Sequence, residues 1–415
     1  MADLENNQTL STRLGNIPLV TDQKSAPCGA AFVLISPASA DSILTLETAE
    51  IELRRGQRDV VVRFRGAEAA TETFQSGHQL AQKGLDLASI LGRLDTIIQD
   101  AEDEHILWWT GPKGLVVRLV STTILRFGVG PVTVEVRDSS GNIVPPPPIH
   151  PRHHIGFRYY RLAQATDDLY DAYRNMYLAF EVLLSCRFPK EKQEQEIAWL
   201  KRGLKAASAS LLLNDLVPKD ALDPVEAVLE TIYSDARLPL FHAKEGRDFY
   251  APQDSPSNRK IVSKALNILT KIVLRMAEAW FDARRVGGAV MFGWVYESVA
   301  SQLEKAKILI SDDVSPFDPG EANLDHPRFR NAPNMSTRLV PELQRGSEPA
   351  VFGHISNDEF STLSVLRRID LVTAAHPYIS QMLESELTLD GIARLEVLMH
   401  MRAMNLNQPK SLFRQ

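Results

Sequence analysis

Cysteine is nearly missing from this chain: Cys28 and Cys186 are the only two in 415 residues. Two thiols so far apart make neither a disulfide framework nor a CxxC metal pair. Long apolar runs are missing as well. No stretch approaches the ~18 consecutive apolar residues that cross a bilayer, so no membrane partner is expected. The opening MADLENNQTL is polar and acidic, unlike a secretory signal. A cytoplasmic protein is the expectation from these absences. The sequence also lacks a GxxxxGK[ST] phosphate loop, HExxH, GxSxG and an EF-hand loop. It therefore implies no metal and no cofactor. It contains no internal repeat.

What is present is ordinary for a globular protein. The chain is 44% hydrophobic and 24% charged, which argues against a mostly disordered or fibrous polymer. The length allows two to three domains, each able to bury a core. Charge is uneven. Residues 1–151 carry 13 Lys/Arg against 18 Asp/Glu, residues 152–285 carry 21 against 18, and residues 286–415 carry 12 against 16. Only the middle is basic, and mildly so. That excludes a general nucleic-acid binder but leaves room for a local phosphate site there.

The first third reads as β-rich with one helical segment. AAFVLIS (30–36), ILTLETAEIELR (43–54), RDVVVRF (58–65), HILWW (105–109), LVVRLVSTTILRF (115–127) and PVTVEVR (131–137) are strand-like. Residues 67–92 change to a helical period, as one helix or as two broken near Gly84. Pro145 to Pro148 favour extended geometry and mark a domain boundary.

The middle third predicts helices. In 157–185 the apolar residues Leu162, Ala165, Leu169, Ala172, Met176, Phe180 and Leu183 recur at steps of three and four, which keeps one face apolar for about seven turns. Residues 196–213, then 224–235 with Asp223 as cap, then 259–285 capped by Ser257 or Asn258, complete four helices suited to an antiparallel bundle. Beyond them, 286–310 includes a helix, 311–350 reads as a Pro-rich loop, 365–373 as a strand, and 385–405 as a helix capped by Thr388.

Three places could carry chemistry. His150, His153 and His154 cluster in HPRHH but lack a nearby carboxylate or thiolate, so they read as a solvated linker rather than a metal site. Trp108 and Trp109 must point to opposite faces of a strand. One is expected in the core and one at the surface. The third place is Arg237-Leu-Pro-Leu-Phe-His242, followed by Lys244. RNA cleavage needs a group that takes the 2′-hydroxyl proton, and histidine titrates near neutrality. It also needs a fixed cation for the phosphate oxygens, and arginine grips phosphate bidentately. Lys244 adds charge. The bland alternative has Arg237 satisfying helix-end carbonyls and His242 bonding backbone in a turn. Arginine followed by histidine at this spacing also occurs at Arg394 and His400, inside what reads as a helix, and is taken there as coincidence. Glu181, beside the apolar face of the first long helix, either forms an ion pair with Arg237 or Arg174 or orients Arg237. Asn175 on the same helix could reach a polar pocket.

The middle third carries a resemblance. YRLAQATDDLYDAYRNMYLAFEVLL, EIAWLKRGL and ARLPLFHAKEG, with the arginine–histidine pair ahead of the last helix, resemble the HEPN superfamily, in particular its MauJ-like members. A β-rich front joined to such helices is similar to ApeA-type HEPN defence proteins. The resemblance covers about residues 155–285. It implies a metal-independent endoribonuclease of toxin–antitoxin or antiviral type, with Arg237 and His242 as the catalytic pair. It also implies a homodimer that builds a composite site, and a protein inhibitor or trigger. The sequence departs from that pattern in having Leu238 and Pro239 where active members often carry a polar residue after the arginine.

The expected fold is α+β and multidomain. A β-rich N-terminal domain (1–150) precedes an antiparallel HEPN-like four-helix bundle (151–285) and a mixed α/β C-terminal region (286–415). The expected function is an RNA endonuclease using Arg237 and His242, supported by Lys244, Glu181, Arg174 and Asn175. The alternative is an inactive dimerisation module whose N-terminal β domain binds a ligand or protein partner.

Overall fold

The computed structural model describes residues 12–21, 27–46, 49–128, 136–137, 139–144, 150–242, 249–252, 256–285, 290–304, 306–315, 332–341, 348–360, 362–372, 379–406, 408–411 and 413. It is α+β. The chain divides into two units: Met1–Leu125 with Met291–Ala403, and Arg126–Val290 with Met404–Gln415. The expectation set the two ends of the chain apart as separate regions. In the structure their strands share one sheet.

In the first unit, period-two sequences become strands. These are β1 (Arg13–Leu14), β2 (Ile17–Pro18), β3 (Cys28–Val33), β4 (Ser42–Leu46), β5 (Ala49–Leu53), β6 (Asp59–Phe64), β7 (Glu104–Gly111) and β8 (Gly114–Phe127). Helix α1 (Ala70–Ile90) is continuous through Gly84. A two-stranded ribbon, β9 (Val136–Arg137) and β10 (Ile143–Val144), belongs to the second unit. Residues 131–135 of the expected strand and Pro145 to Pro148 lie outside the described residues.

The C-terminal part supplies β11 (Lys307–Ser311), β12 (Asn334–Leu339), β13 (Ala350–Ser356), β14 (Val365–Val372), β15 (Ile379–Thr388) and β16 (Ile392–Asn405). The sheet order is β2-β1-β15-β14-β11-β12-β13-β16-β8-β7-β3-β6-β5-β4. β16 carries the C-terminal strands onto the N-terminal ones.

Pleat alternation explains two separate cores. Ala31, Val61, Ile106, Trp108 and Val117 join Ile308, Met335, Leu366 and Leu395 in an inner core, so the two halves of the sheet face one another. Ala30, Phe32, Val62, Leu107 and Trp109 pack on α1 through Ala81, Leu85 and Ala88. The adjacent tryptophans do point opposite ways, but both are buried, because α1 covers the face expected to meet water.

Residues 385–405 form no helix. β15 ends at Thr388, Asp390-Gly391 make a turn with Gly391 at φ 82°, and β16 follows. An Asp-Gly step ahead of an alternating Leu395, Val397, Met399, Met401 run is turn-then-strand chemistry. β15 and β16 are not neighbours in the sheet, so the turn passes the chain from one half to the other. Arg394 and His400 are therefore strand residues.

The second unit is helical: α2 (Gly156–Ala165), α3 (Leu169–Arg187), α4 (Glu196–Leu211), α5 (Pro224–Leu229), a π-helical stretch Glu230–Arg237, α6 (Leu238–Phe241) and α7 (Pro256–Phe281). The expected seven-turn helix is two. Asp168 caps α3, its side chain accepting from the Asp171 N–H at 2.7 Å, and this competes successfully with continuation from α2. Asp223 caps α5 as expected. The last helix starts at Pro256 instead, ahead of both expected caps. Tyr173, Met176, Phe180, Leu200, Leu204, Ile232, Leu269, Ile272 and Met276 meet in one core. Helix α8 (Phe292–Leu303) returns the chain to the first unit.

Among the described residues, no helix is long and apolar enough to cross a membrane.

Candidate functional site

The site grows from three helical segments of the second unit. Tyr173, Tyr177 and Glu181 stand four residues apart on α3 and share one face. Glu196 lies in the first turn of α4. Tyr233 and Arg237 stand on the π-helical stretch, which runs directly into α6 and ends at His242. Ahead of Pro239, which has no N–H to return to the helix, the register is π: the Leu238 N–H bonds the Tyr233 carbonyl, five residues earlier.

Arg237 is the hub. Its Nη2 is 3.0 Å from Glu196 Oε1, and its Nη1 is 3.3 Å from His242 Nε2. A guanidinium only donates, so Nε2 is the acceptor in that contact. The guanidinium carbon lies 5.2 Å from the Tyr233 ring, 5.4 Å from Phe241 and 5.9 Å from Tyr177, within cation–π range. The Tyr177 and Tyr233 hydroxyls donate to Glu196 at 3.5 and 3.4 Å. Arg237 is mostly covered, whereas His242 is exposed. The result is a fixed cation beside an accessible imidazole. The helix-end role considered for Arg237 gives way to another: its side chain meets a carboxylate and an imidazole.

Glu181 does not itself hold Arg237. Its carboxyl hydrogen-bonds Glu196, and burial, then the Glu196 charge, push it up to about 7, against the pull of Arg237. Burial likewise raises the Tyr173 and Tyr177 phenols far above their ordinary range. The Tyr173 hydroxyl donates to the Ile232 carbonyl, tying α3 to the π-helical stretch.

Of the residues selected from sequence, Arg237, His242 and Glu181 converge. Asn175 does not join them: its Nδ2 donates to the Asp171 carbonyl at 2.9 Å. Arg174 is exposed and one helical step round from Tyr173. Lys244 lies in 243–248, outside the described residues. Glu196, Tyr177 and Tyr233 complete the site and were not among its expected members. An acidic residue in a first helical turn has an ordinary reading as a partner of the helix dipole, which hid Glu196.

The HPRHH segment is exposed from His150 to His153, as expected, with His154 half-buried, and it is also tied down. The Arg152 N–H bonds the Phe281 carbonyl, His154 Nδ1 accepts from the Gly156 N–H at 3.1 Å, and its ring lies 4.9 Å from Phe281.

A family model described as methylamine utilization protein MauJ matches residues 157–278, the helices that build this site. No curated protein and no solved structure matches the chain.

Proposed function

We propose that the second unit is a HEPN-type, metal-independent endoribonuclease with Arg237 and His242 as its catalytic pair. The observation that supports it is the 3.3 Å approach of Arg237 Nη1 to the exposed His242 Nε2, on a guanidinium already braced by Glu196 and aromatic rings. A bound phosphodiester takes the Nη1 hydrogen from His242. That frees the Nε2 lone pair to accept the proton of the ribose 2′-hydroxyl. The 2′-oxygen bonds to phosphorus, the bond to O5′ breaks, and O5′ takes a proton from water. The products are a 2′,3′-cyclic phosphate and a 5′-hydroxyl. Arg237 holds the non-bridging oxygens as charge gathers on them. Glu196 positions Arg237 and does not touch substrate. A second copy of the chain, bringing a second pair, belongs to this reading, as does a regulatory role for the first unit.

Leu238 does not weaken the arrangement in one respect: the polar support for Arg237 comes from α3 and α4 rather than from the position after it. The test is cleavage of a mixed RNA pool in EDTA by the full chain and by His242→Ala. Cyclic phosphate ends from the wild type alone support the assignment. Equal cleavage by the variant contradicts it. A chain that stays inert, with RNA or with a partner protein, favours the inactive module.

A further inference from the structure

The folded sheet of the first unit encloses a small, mainly apolar cavity with several polar groups in its wall, which RNA cleavage does not use. Asp59 on β6, Glu104 on β7 and Ser121 on β8 follow the same pleat as Val61, Ile106 and Leu119 of the inner core. Glu104 and Ser121 are direct cross-strand partners. Across from them, Gln381 on β15 pairs with Ile369 of that core. Beyond Gln381, β15 loses regular pairing before Leu387, and there Ser385 donates to Asp59. All five residues line one cavity, whose other walls include Ala31, Val33 and Leu383. Its volume is about 30 Å³, room for roughly two or three heavy atoms.

Its lining has acceptors to spare and few donors. Asp59 is 3% exposed and Ser121 5%. The Ser121 hydroxyl and Gln381 Oε1 are buried with no hydrogen-bond partner, an uncommon and costly state. Arg58 is the cation whose charge reaches both Asp59 and Glu104. Its own donors go elsewhere: Nη1 to Glu384 at 3.3 Å, Nη2 to Gln99 at 2.5 Å, and Nε to the Leu34 carbonyl at 2.9 Å. Burial and the neighbouring carboxylates push Asp59 up to about 6 and raise Glu104 as well. Asp59 and Glu104 thus face a small space in which the one donor cation nearby, Arg58, is paired with Glu384, the third carboxyl residue of the wall.

We propose that this cavity binds a small primary ammonium ion, its N–H groups met by Asp59, Glu104, Ser121 and Gln381 and its carbon by the aliphatic wall. Three or more N–H donors suit scattered acceptors of this kind. A metal suits them less, because no group of three His, Cys, Asp or Glu among the described residues is arranged to hold one. The site is independent of the RNA-cleavage reading.

The experiment is calorimetric titration of the full chain at pH 7.5 with ammonium and ethylammonium, with tetramethylammonium and potassium as controls. The expected result is one-to-one binding of ethylammonium and none of tetramethylammonium, which has the charge but no N–H. Asp59→Asn, which replaces an acceptor oxygen by a donor, is expected to weaken binding at least tenfold. Ser121→Val, which fills the cavity with a methyl group, supplies a second reading if Asp59→Asn fails to fold, and is also expected to lose binding. No binding of either amine, equal binding of tetramethylammonium or potassium, or undiminished binding by Ser121→Val overturns the proposal.

Discussion

Arg237 and Glu196 meet at 3.0 Å, and the same Glu196 carboxylate shares a hydrogen bond with the Glu181 carboxyl. One guanidinium and one proton therefore hold two acidic groups together behind the exposed His242. Glu196→Gln removes the charge that fixes Arg237 while keeping an oxygen for the tyrosine hydroxyls. RNA cleavage is expected to fall at least tenfold, mainly in kcat. The pair is part-exposed, so stability should change by only about 1 kcal/mol. Steady-state kinetics beside a melting curve separate the two effects. Unchanged kcat would show that Arg237 needs no brace.

Glu181 gives a pH signature with a definite sign. Its folded value, about 7, lies above the ordinary 4.5. Between those values the folded chain holds a proton that the unfolded chain releases, so this group lowers stability as pH rises through that window. Glu181→Gln is neutral throughout. It should stabilise the protein at pH 8 relative to wild type by roughly 1–2 kcal/mol, a figure discounted for a half-buried site. The gain should be near zero at pH 4.5. Denaturant melts at the two pH values check this; a gain that is larger at pH 4.5 contradicts the assignment.

His78 on α1 has the opposite sign. It is 1% exposed, stacks on Phe74 with ring centres 5.9 Å apart, and is pushed down to about 4 by burial. The unfolded chain gains the proton first, so stability is lost as pH falls from 6.5 through 4. His78→Leu should lose less stability than wild type between pH 7 and pH 4.5, by about 2–3 kcal/mol. Equal acid sensitivity of the two proteins would place the acid-labile group elsewhere.

These relationships were unequally legible in the sequence. Arg237 and His242 could be paired because they lie five residues apart. Glu196 could not, because its contact with Arg237 spans 41 positions and depends on how α4 lies beside the π-helical stretch. The longer strands of the N-terminal part were recognisable from β-branched runs, whereas of the strands described at the C-terminal end only β14 was expected as one, and β12 lies in what read as a Pro-rich loop; the pairing across β8 and β16 is long-range and leaves no local mark. Residues 385–405 misled because Thr388 and Asp390 mimic a helix cap, while the stronger signals were Asp390-Gly391 and the period-two run after it. Gly84 left one helix or two equally open in the sequence, and its role is proximity: a Cβ there would lie 2.9 Å from the Ile51 side chain.

Gly77 makes the same point as a prediction. In a helix, Gly→Ala normally adds up to about 1 kcal/mol. At Gly77 a Cβ would sit 2.5 Å from the Ala30 Cβ on β3, so α1 must lift from the sheet. Gly77→Ala should destabilise by about 1–3 kcal/mol through overpacking. A raised melting temperature would mean that α1 is not seated as described.

The account's central claim is that Arg237 and His242 act as one cleaving pair. The most direct measurement is the chemical nature of the RNA ends made in EDTA by wild type, Arg237→Ala and His242→Ala, each shown by circular dichroism to be folded. The account predicts 2′,3′-cyclic phosphate and 5′-hydroxyl ends from the wild type, and a loss of at least a hundredfold in both variants. Cleavage that persists in His242→Ala, or that leaves 3′-hydroxyl ends, contradicts it.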